Sequence, residues 1–116
     1  MFTNDLLKHK RILITGGGTG IGRAMAKRFL ELGATVFICG RRLPVVQRTA
    51  QELAASTGGR IEAYACDVRY SDDVEPLIDK LWAEAPLDIL VNNAAGNFLA
   101  KTEELSEHAF DAVIGI

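Results

Sequence analysis

Five glycines fall within seven residues, directly after a short apolar run. The run is Arg11–Thr15 (RILIT), and it leads into residues 15–22 (TGGGTGIG). A turn built of glycine can adopt positive φ angles, and a phosphate can approach its backbone because no Cβ atoms stand in the way. A helix that starts at such a turn offers unpaired N–H groups and a partial positive charge to the same phosphate. The segment therefore predicts a dinucleotide pyrophosphate site formed by Gly16, Gly18, Thr19, Gly20 and Ile21.

Two other interpretations of the glycine segment are a nucleoside triphosphatase loop and a turn without a ligand. The phosphate loop of nucleoside triphosphatases has Lys and then Ser or Thr after its last glycine, but Arg23 follows Gly22 here, which excludes that loop. A glycine-rich turn can also exist for steric reasons alone, without a ligand. The position of the segment between a predicted strand and a predicted helix favours the dinucleotide site over the steric interpretation.

Two arginines follow the second apolar run, residues 35–39 (TVFIC). An NAD site carries Asp or Glu at this point to accept hydrogen bonds from the ribose 2′-hydroxyl, whereas Gly40, Arg41 and Arg42 stand here. A guanidinium group makes charge-assisted, often bidentate bonds to a phosphate. We therefore predict that Arg41 and Arg42 bind the 2′-phosphate of NADP(H). The alternative is that both arginines are solvated loop residues.

The elements that must position these residues alternate along the chain. Short apolar runs alternate with segments of helical period, which is typical of βαβ units and a parallel sheet. Strands are predicted at residues 11–15, 35–39, 60–66 and 87–91, and helices at 20–32, from Pro44 to the glycines at 58 and 59, from Ser71, and from near Leu105. The buried stripe of the first helix is predicted to be Ile21, Met25, Phe29 and Leu32. That of the third is predicted to be Val74, Leu77, Ile78 and Leu81.

The composition indicates one globular domain. The 116 residues are 48% hydrophobic and 24% charged, proportions that allow a packed core. The net charge of −2 gives no basic field for nucleic acid, and no apolar run approaches a signal peptide or the roughly 18 residues of a membrane span. Cys39 and Cys66 lie far apart in sequence, which argues against a metal site or a disulfide. We expect a small-molecule partner, neither nucleic acid nor membrane, and a cytoplasmic location.

Three blocks together resemble the short-chain dehydrogenase/reductase family. They are the glycine segment, residues 66–68 (CDV) after the third strand, and residues 91–96 (VNNAAG) after the fourth. The resemblance implies that Asp67 accepts a hydrogen bond from the adenine amino group and that Val68 covers the ring. It also implies that Asn93 fixes the backbone beside the cofactor, that the small residues Ala94 and Ala95 allow close approach, and that Gly96 belongs to the same cofactor-binding segment. The alternative for Asp67 is a turn residue that starts a helix.

The resemblance also implies a fold. This is a Rossmann-type, doubly wound α/β fold of three layers, with the spatial strand order 3-2-1-4 and residues 1–116 as one NADP-binding domain, the N-terminal half of the family's domain. The fourth strand is nearly all apolar, unlike a natural edge strand. A chain ending at Ile116 is therefore expected to aggregate, to pair with another chain, or to be part of a longer one. The last helical pattern stops without a cap, which favours a continuation.

The activity is inferred from the same resemblance. Residues 38–42 (ICGRR) and 95–98 (AGNF) are similar to those of 2,4-dienoyl-CoA and trans-2-enoyl-CoA reductases. This implies an NADP(H)-dependent oxidoreductase that acts on an unsaturated acyl-CoA or a carbonyl substrate and assembles as a homo-oligomer, commonly a tetramer.

The family's catalytic residues are not found in the sequence. The family uses a Tyr-x-x-x-Lys pair with Ser and Asn, but Tyr64 and Tyr70 are followed four residues later by Val68 and Val74. No residue is therefore predicted to be catalytic. The alternative function is a non-catalytic dinucleotide-binding or interaction module. A third interpretation is a scaffold without a ligand.

Overall fold

A five-stranded parallel sheet forms the centre of the computed structural model, which describes residues 5–93 and 113–115. Its strands are β1 (Arg11–Thr15), β2 (Thr35–Gly40), β3 (Ile61–Ala65), β4 (Ile89–Asn92) and β5 (Val113–Gly115). Their spatial order is β3-β2-β1-β4-β5, and every neighbouring pair is parallel. The predicted doubly wound α/β fold and its strand order 3-2-1-4 are confirmed.

In the part of the chain that the structure describes, three helices cover the two faces of the sheet: α1 (Gly20–Glu31), α2 (Leu43–Thr57) and α3 (Ser71–Glu84). The β1 and β2 residues on one face, Ile12, Ile14, Val36 and Ile38, form a core cluster with buried residues of α1 and α2. On the opposite face, Leu13 and Phe37 pack with the α3 residues Val74, Leu77, Ile78 and Leu81. The prediction of three layers and the predicted buried stripe of α3 are confirmed.

The predicted buried stripe of α1 was wrong by one position. The residues of α1 that are buried are Gly22, Ala26 and Leu30, whereas Ile21 is 68% exposed and Met25 and Phe29 are only partly buried. A stripe of small residues lets the start of α1 lie close to the glycine segment, and the larger side chains then pack at its flank. Hydrophobicity alone favoured the larger residues, which explains the error.

Two further expectations are corrected at the ends of elements. Val113 and Ile114 belong to β5 and not to a helix, so β4 is flanked by β1 and β5 and is not an edge strand. The sequence also predicts that Ser71, Asp72 and Asp73 at the start of α3 satisfy free N–H groups and place negative charge at the helix dipole, and Asp72 and Asp73 do lie in the first turn. The N-cap of α3 is Tyr70, without a side-chain capping bond, and Asp73 Oδ2 instead accepts a hydrogen bond from the backbone N–H of Asp67 at 3.1 Å.

The C-terminal end of α3 is held by one arginine of β1. The guanidinium of Arg11 donates to the carbonyl oxygens of Leu81, at 2.8 Å, and Ala85, and it pairs with Glu84 at 3.5 Å. Its carbon lies 4.8 Å from the centroid of the Phe37 ring. Arg11 therefore donates to carbonyl oxygens at the C-terminal end of α3, where that of Leu81 also accepts the Ala85 N–H at 3.3 Å.

The two cysteines are buried free thiols that lie on neighbouring strand ends. A hydrogen bond between their side chains, together with burial, raises the pKa of Cys39, and the same bond lowers the pKa of Cys66. Among the residues that the structure describes, no group of three or more His, Cys, Asp or Glu side chains could hold a metal ion. In the same part of the chain, no helix is both long and apolar enough to cross a membrane.

Candidate functional site

The segments singled out by the sequence meet at one edge of the sheet. The carboxyl ends of β1, β2, β3 and β4 all point to this edge because the strands are parallel. The chain crosses from one side of β1 to the other between β3 and β4, which makes the space beyond β1 a topological switch point. In open α/β sheets, ligands bind in the crevice at such a point.

The glycine segment turns sharply from β1 into α1. Gly16 has φ 68° and Gly20 has φ 56°, conformations that side chains other than glycine rarely adopt. The Gly16 N–H donates to the carbonyl oxygen of Cys39 at 2.9 Å, which ties the turn to the end of β2. Thr19 is the extended N-cap residue of α1, so the N–H groups of the first turn of the helix open toward this edge.

Two other glycines are required by close packing. A Cβ on Gly17 would lie 2.7 Å from Cβ of Ile38. A Cβ on Gly22 would lie 2.7 Å from Nδ2 of Asn93 and would overlap the carbonyl oxygen of Gly16. The steric interpretation of the segment therefore accounts for these two positions. At Gly20 an added Cβ would meet nothing within 4 Å, so the positive φ of this residue, and not close packing, favours glycine there.

A buried hydroxyl group links the glycine segment to the end of β4. Thr15 Oγ1 accepts a hydrogen bond from the Asn93 N–H at 3.0 Å and lies 3.3 Å from Oδ1 of Asn92. Asn93 Nδ2 donates to the carbonyl oxygen of Gly16 at 3.3 Å. Asn93 thus holds the glycine segment, and its role beside the cofactor stays a prediction. Thr15 and Asn92, both buried, are positioning residues that sequence reasoning missed.

A cavity of about 310 Å³ lies between the glycine segment and the start of α2. It is lined by Gly16, Gly18, Thr19, Gly40, Arg41, Arg42, Val45 and Val46. The structure therefore brings three of the predicted pyrophosphate residues and both predicted phosphate-binding arginines to one cavity, and none of the residues that line it is acidic. Thr49 Oγ1 donates to the carbonyl oxygen of Gly18 at 2.7 Å, so α2 also holds the glycine segment.

Asp67 and Val68 lie in the turn after β3 and do not line this cavity. Val68 is partly buried and packs against the core on the α3 side of the sheet. The Asp67 carboxylate is bound by Arg69, with Nη2 of the arginine 2.7 Å from Oδ2, and this contact holds the pKa of Asp67 at about 2. Contacts of Asp67 and Val68 with adenine stay predictions. Ala94, Ala95 and Gly96 lie outside the described residues.

The arrangement fits a nicotinamide dinucleotide. The turn without side chains and the first turn of α1 would hold the pyrophosphate, and Arg41 and Arg42 would hold an additional phosphate. Such a cofactor supplies hydride transfer, while the protein binds and orients it.

Comparison with known proteins identifies the family. The family described as short chain dehydrogenase matches residues 10–116. A probable 2,4-dienoyl-CoA reductase 3 of Caenorhabditis elegans, named as producing (3E)-enoyl-CoA, is 47% identical over 113 residues, which cover 95% of this chain and 36% of that protein. Peroxisomal 2,4-dienoyl-CoA reductase of Rattus norvegicus is 42% identical over 117 residues, which cover 100% of this chain and 40% of that protein.

A solved structure supports the same grouping. The RhlG/NADP active-site complex of Pseudomonas aeruginosa aligns with a TM-score of 0.73 at 33% identity, over 96% of this chain and 46% of that one. The chain thus spans less than half the length of these relatives. The match over residues 10–116, on a parallel sheet with the strand order β3-β2-β1-β4-β5, shows that the chain belongs to the short-chain dehydrogenase family.

Proposed function

We propose that this chain is the cofactor-binding part of an NADP(H)-dependent reductase of unsaturated acyl-CoA. The observation that carries the choice of cofactor is the cavity beyond β2, which Arg41 and Arg42 line and which has no acidic residue among its described lining residues. A carboxylate at this point would accept hydrogen bonds from a ribose 2′-hydroxyl and repel a 2′-phosphate. Two guanidinium groups attract the phosphate.

The expected preference can be given a magnitude. A hydrogen bond to a charged group contributes about 1.5 to 3 kcal/mol, which corresponds to roughly tenfold to hundredfold in affinity. Both arginines are exposed, so water and salt weaken each contact, and we place the preference for NADPH near the lower end of that range. The first turn of α2 adds the positive end of a helix dipole to the same cavity.

The proposed substrate class rests on the relatives. Proteins named as 2,4-dienoyl-CoA reductases are 42% and 47% identical to this chain across nearly its whole length. In the proposed reaction, a 2,4-dienoyl-CoA takes up one hydride from NADPH and one proton, which yields an enoyl-CoA and NADP⁺.

Cofactor choice is tested by calorimetric titration of the intact protein with NADPH and with NADH. We expect tighter binding of NADPH, and we expect the variant carrying Arg41→Ala and Arg42→Ala to lose roughly tenfold or more of that preference. Arg48→Ala is the matched control, because Arg48 is an exposed arginine of α2 that does not line the cavity. Equal affinity for the two cofactors, or a double variant that behaves like Arg48→Ala, would contradict the proposal.

The substrate is tested separately by mixing the intact protein and NADPH with a 2,4-dienoyl-CoA or a 3-oxoacyl-CoA and following the consumption of NADPH. The proposal expects turnover with the dienoyl substrate. Turnover with the 3-oxoacyl substrate alone would support a carbonyl reductase instead. If NADPH binds and raises the unfolding temperature but neither substrate is reduced, the non-catalytic module is supported.

A further inference from the structure

The carbonyl group of Gly18 is held by a side chain of the neighbouring helix. Thr49 Oγ1 donates to the Gly18 carbonyl oxygen at 2.7 Å, and Thr49 is only 3% exposed. The two residues are 31 positions apart in sequence, and Thr49 lies in the middle of α2. A buried carbonyl that loses its donor costs free energy, because water does not replace the lost hydrogen bond. This contact therefore ties the glycine segment to α2 at one defined atom.

One face of α2 packs closely against Gly18. Val45 and Val46 precede Thr49 by four and three residues, so the three side chains share a face of the helix. A Cβ on Gly18 would lie 3.2 Å from Cγ1 of each valine. Both valines line the cavity beside the glycine segment, as Gly18 does. Thr49 thus acts on a residue that lines the cavity, without lining it itself.

The hydrogen bond also fixes the orientation of one peptide group. The peptide bond between Gly18 and Thr19 is trans, so its C=O and N–H groups lie in one plane and point in opposite directions. Because the Gly18 carbonyl oxygen faces Thr49, the Thr19 N–H points away from Thr49. A half-turn of this peptide would exchange the two groups. A phosphate is attracted by a backbone N–H and repelled by a carbonyl oxygen, so the orientation matters for binding.

Glycine offers little resistance to such a rotation, because it adopts positive and negative φ angles with similar ease. We propose that Thr49 is a positioning residue for the cofactor, which keeps the peptide between Gly18 and Thr19 in the orientation that leaves its N–H available to the pyrophosphate. This inference rests on the proposed function, because it takes a nicotinamide dinucleotide to bind at the glycine segment. It gives α2 a part in binding the pyrophosphate as well as the additional phosphate.

The test compares Thr49→Val with the wild-type intact protein by calorimetric titration with NADPH and with NADH. Valine keeps the shape of threonine but cannot donate a hydrogen bond, so a smaller fraction of the protein should hold the peptide in the binding orientation. We expect both cofactors to bind roughly threefold to tenfold more weakly, the range for one lost hydrogen bond, and the ratio of their affinities to stay unchanged. Thr49→Ser keeps the hydroxyl group and should retain most of the wild-type affinity.

Thr57→Val is the matched control. Thr57 Oγ1 donates to the Leu53 carbonyl oxygen, also at 2.7 Å, in the last turn of the same helix. This variant removes an equivalent hydroxyl group from α2 far from Gly18, and it should leave both cofactor affinities unchanged. If Thr49→Val binds NADPH as tightly as Thr57→Val does, the inference is wrong.

A second ligand separates the proposed role from a general distortion of the site. Adenosine 2′-monophosphate carries the additional phosphate but no pyrophosphate, so Thr49→Val should bind it as the wild-type protein does in an NMR titration. An affinity for this ligand that falls as much as the affinity for NADPH would reject the inference, because the variant would then disturb the whole cavity. If Thr49→Val does not fold, the wild-type protein provides the test. Its Thr19 amide resonance should shift with inorganic pyrophosphate, and a resonance that does not respond would overturn the inference.

The inference and the proposed function fail in different measurements. The proposed choice of cofactor is measured by the ratio of NADPH to NADH affinity, and the role of Thr49 by the affinity for both cofactors. If Arg41→Ala with Arg42→Ala keeps the wild-type ratio while Thr49→Val weakens both cofactors, the choice of NADP(H) is rejected and the role of Thr49 is supported. The opposite pair of results rejects the role of Thr49 alone.

Discussion

At the scale of single residues, the site depends on the lack of Cβ atoms at glycine positions as much as on the side chains that are present. Gly22 lies where the first turn of α1 crosses the carbonyl oxygen of Gly16 and the side chain of Asn93. Alanine in a helix is normally favoured over glycine by about 1 kcal/mol. Here the neighbour is a backbone carbonyl, which cannot rotate away, so the added methyl group must displace the turn.

We therefore predict that Gly22→Ala destabilises the protein by roughly 1 to 3 kcal/mol and weakens NADPH binding more than tenfold. Thermal unfolding and calorimetric titration measure the two effects. Gly58→Ala is the control: this glycine ends α2 at φ 72° with open space around it, so alanine should cost about 1 kcal/mol of stability and leave NADPH affinity unchanged. Unaltered NADPH binding by Gly22→Ala would contradict the close-packing account.

At the scale of elements, the periodicity of apolar residues predicted β1 without error and most other strands and helices to within one or two residues. It failed where neighbours in space decide the outcome. The buried stripe of α1 follows the small residues that fit under the glycine segment, and Val113 pairs with Leu90 in a strand although its sequence pattern is helical. A side-chain contact such as that of Arg11 with the end of α3 produces no regular spacing in the sequence, because the two partners are about 70 residues apart.

Arg11 should be the side chain that anchors the C-terminal turn of α3. Arg11→Met keeps a long apolar chain beside Phe37 but removes the donors to the carbonyl oxygens of Leu81 and Ala85. We predict a loss of about 2 kcal/mol of stability and faster hydrogen exchange of the amides near the end of α3. In urea unfolding, Arg60→Met, which breaks an exposed ion pair with Glu62, should cost no more than about 0.5 kcal/mol. Equal losses of unfolding free energy in Arg11→Met and Arg60→Met would contradict the proposed anchoring of α3 by Arg11.

At the scale of the whole molecule, the arrangement of the site followed from two general rules. Parallel strands bring their carboxyl ends to one edge, and the reversal of strand order beside β1 leaves a crevice there. These rules predicted that the glycine segment, the two arginines and Asn93 lie at the same edge of the sheet, where the structure has them. They could not show that Arg69 engages Asp67 or that Thr49 holds Gly18, because these contacts depend on side-chain reach within loops and across layers.

Alkaline stability is a further property of the whole molecule. The Tyr64 hydroxyl donates to Glu62 Oε1 at 2.7 Å, and burial together with this carboxylate raises the pKa of Tyr64 from 10 to about 12. Between these values the unfolded chain releases the proton first, so the stability contributed by Tyr64 is complete below pH 10 and is lost as pH rises through 12.

We therefore predict that the wild-type protein has a larger free energy of unfolding than the Tyr64→Phe variant at neutral pH. This difference should shrink between pH 10 and pH 12. Urea unfolding of both proteins across that range measures it. Glu62→Gln keeps a hydrogen-bond acceptor but removes the negative charge that helps to raise the pKa of Tyr64. This variant should therefore narrow the pH range over which the stability difference shrinks. If the difference in the free energy of unfolding stays constant up to pH 12, the pKa of Tyr64 is not raised in the folded protein as predicted.

The link between Thr15 and Asn93 joins residues 78 positions apart. A ribosome adds about 5 to 20 residues per second, so Asn93 is made on the order of ten seconds after the turn that it holds. During that interval a nascent chain carries a complete glycine segment that lacks its anchor at the far side of β1. A nascent chain is therefore expected to retain a nucleotide at this turn only after β4 has been made and has paired with β1.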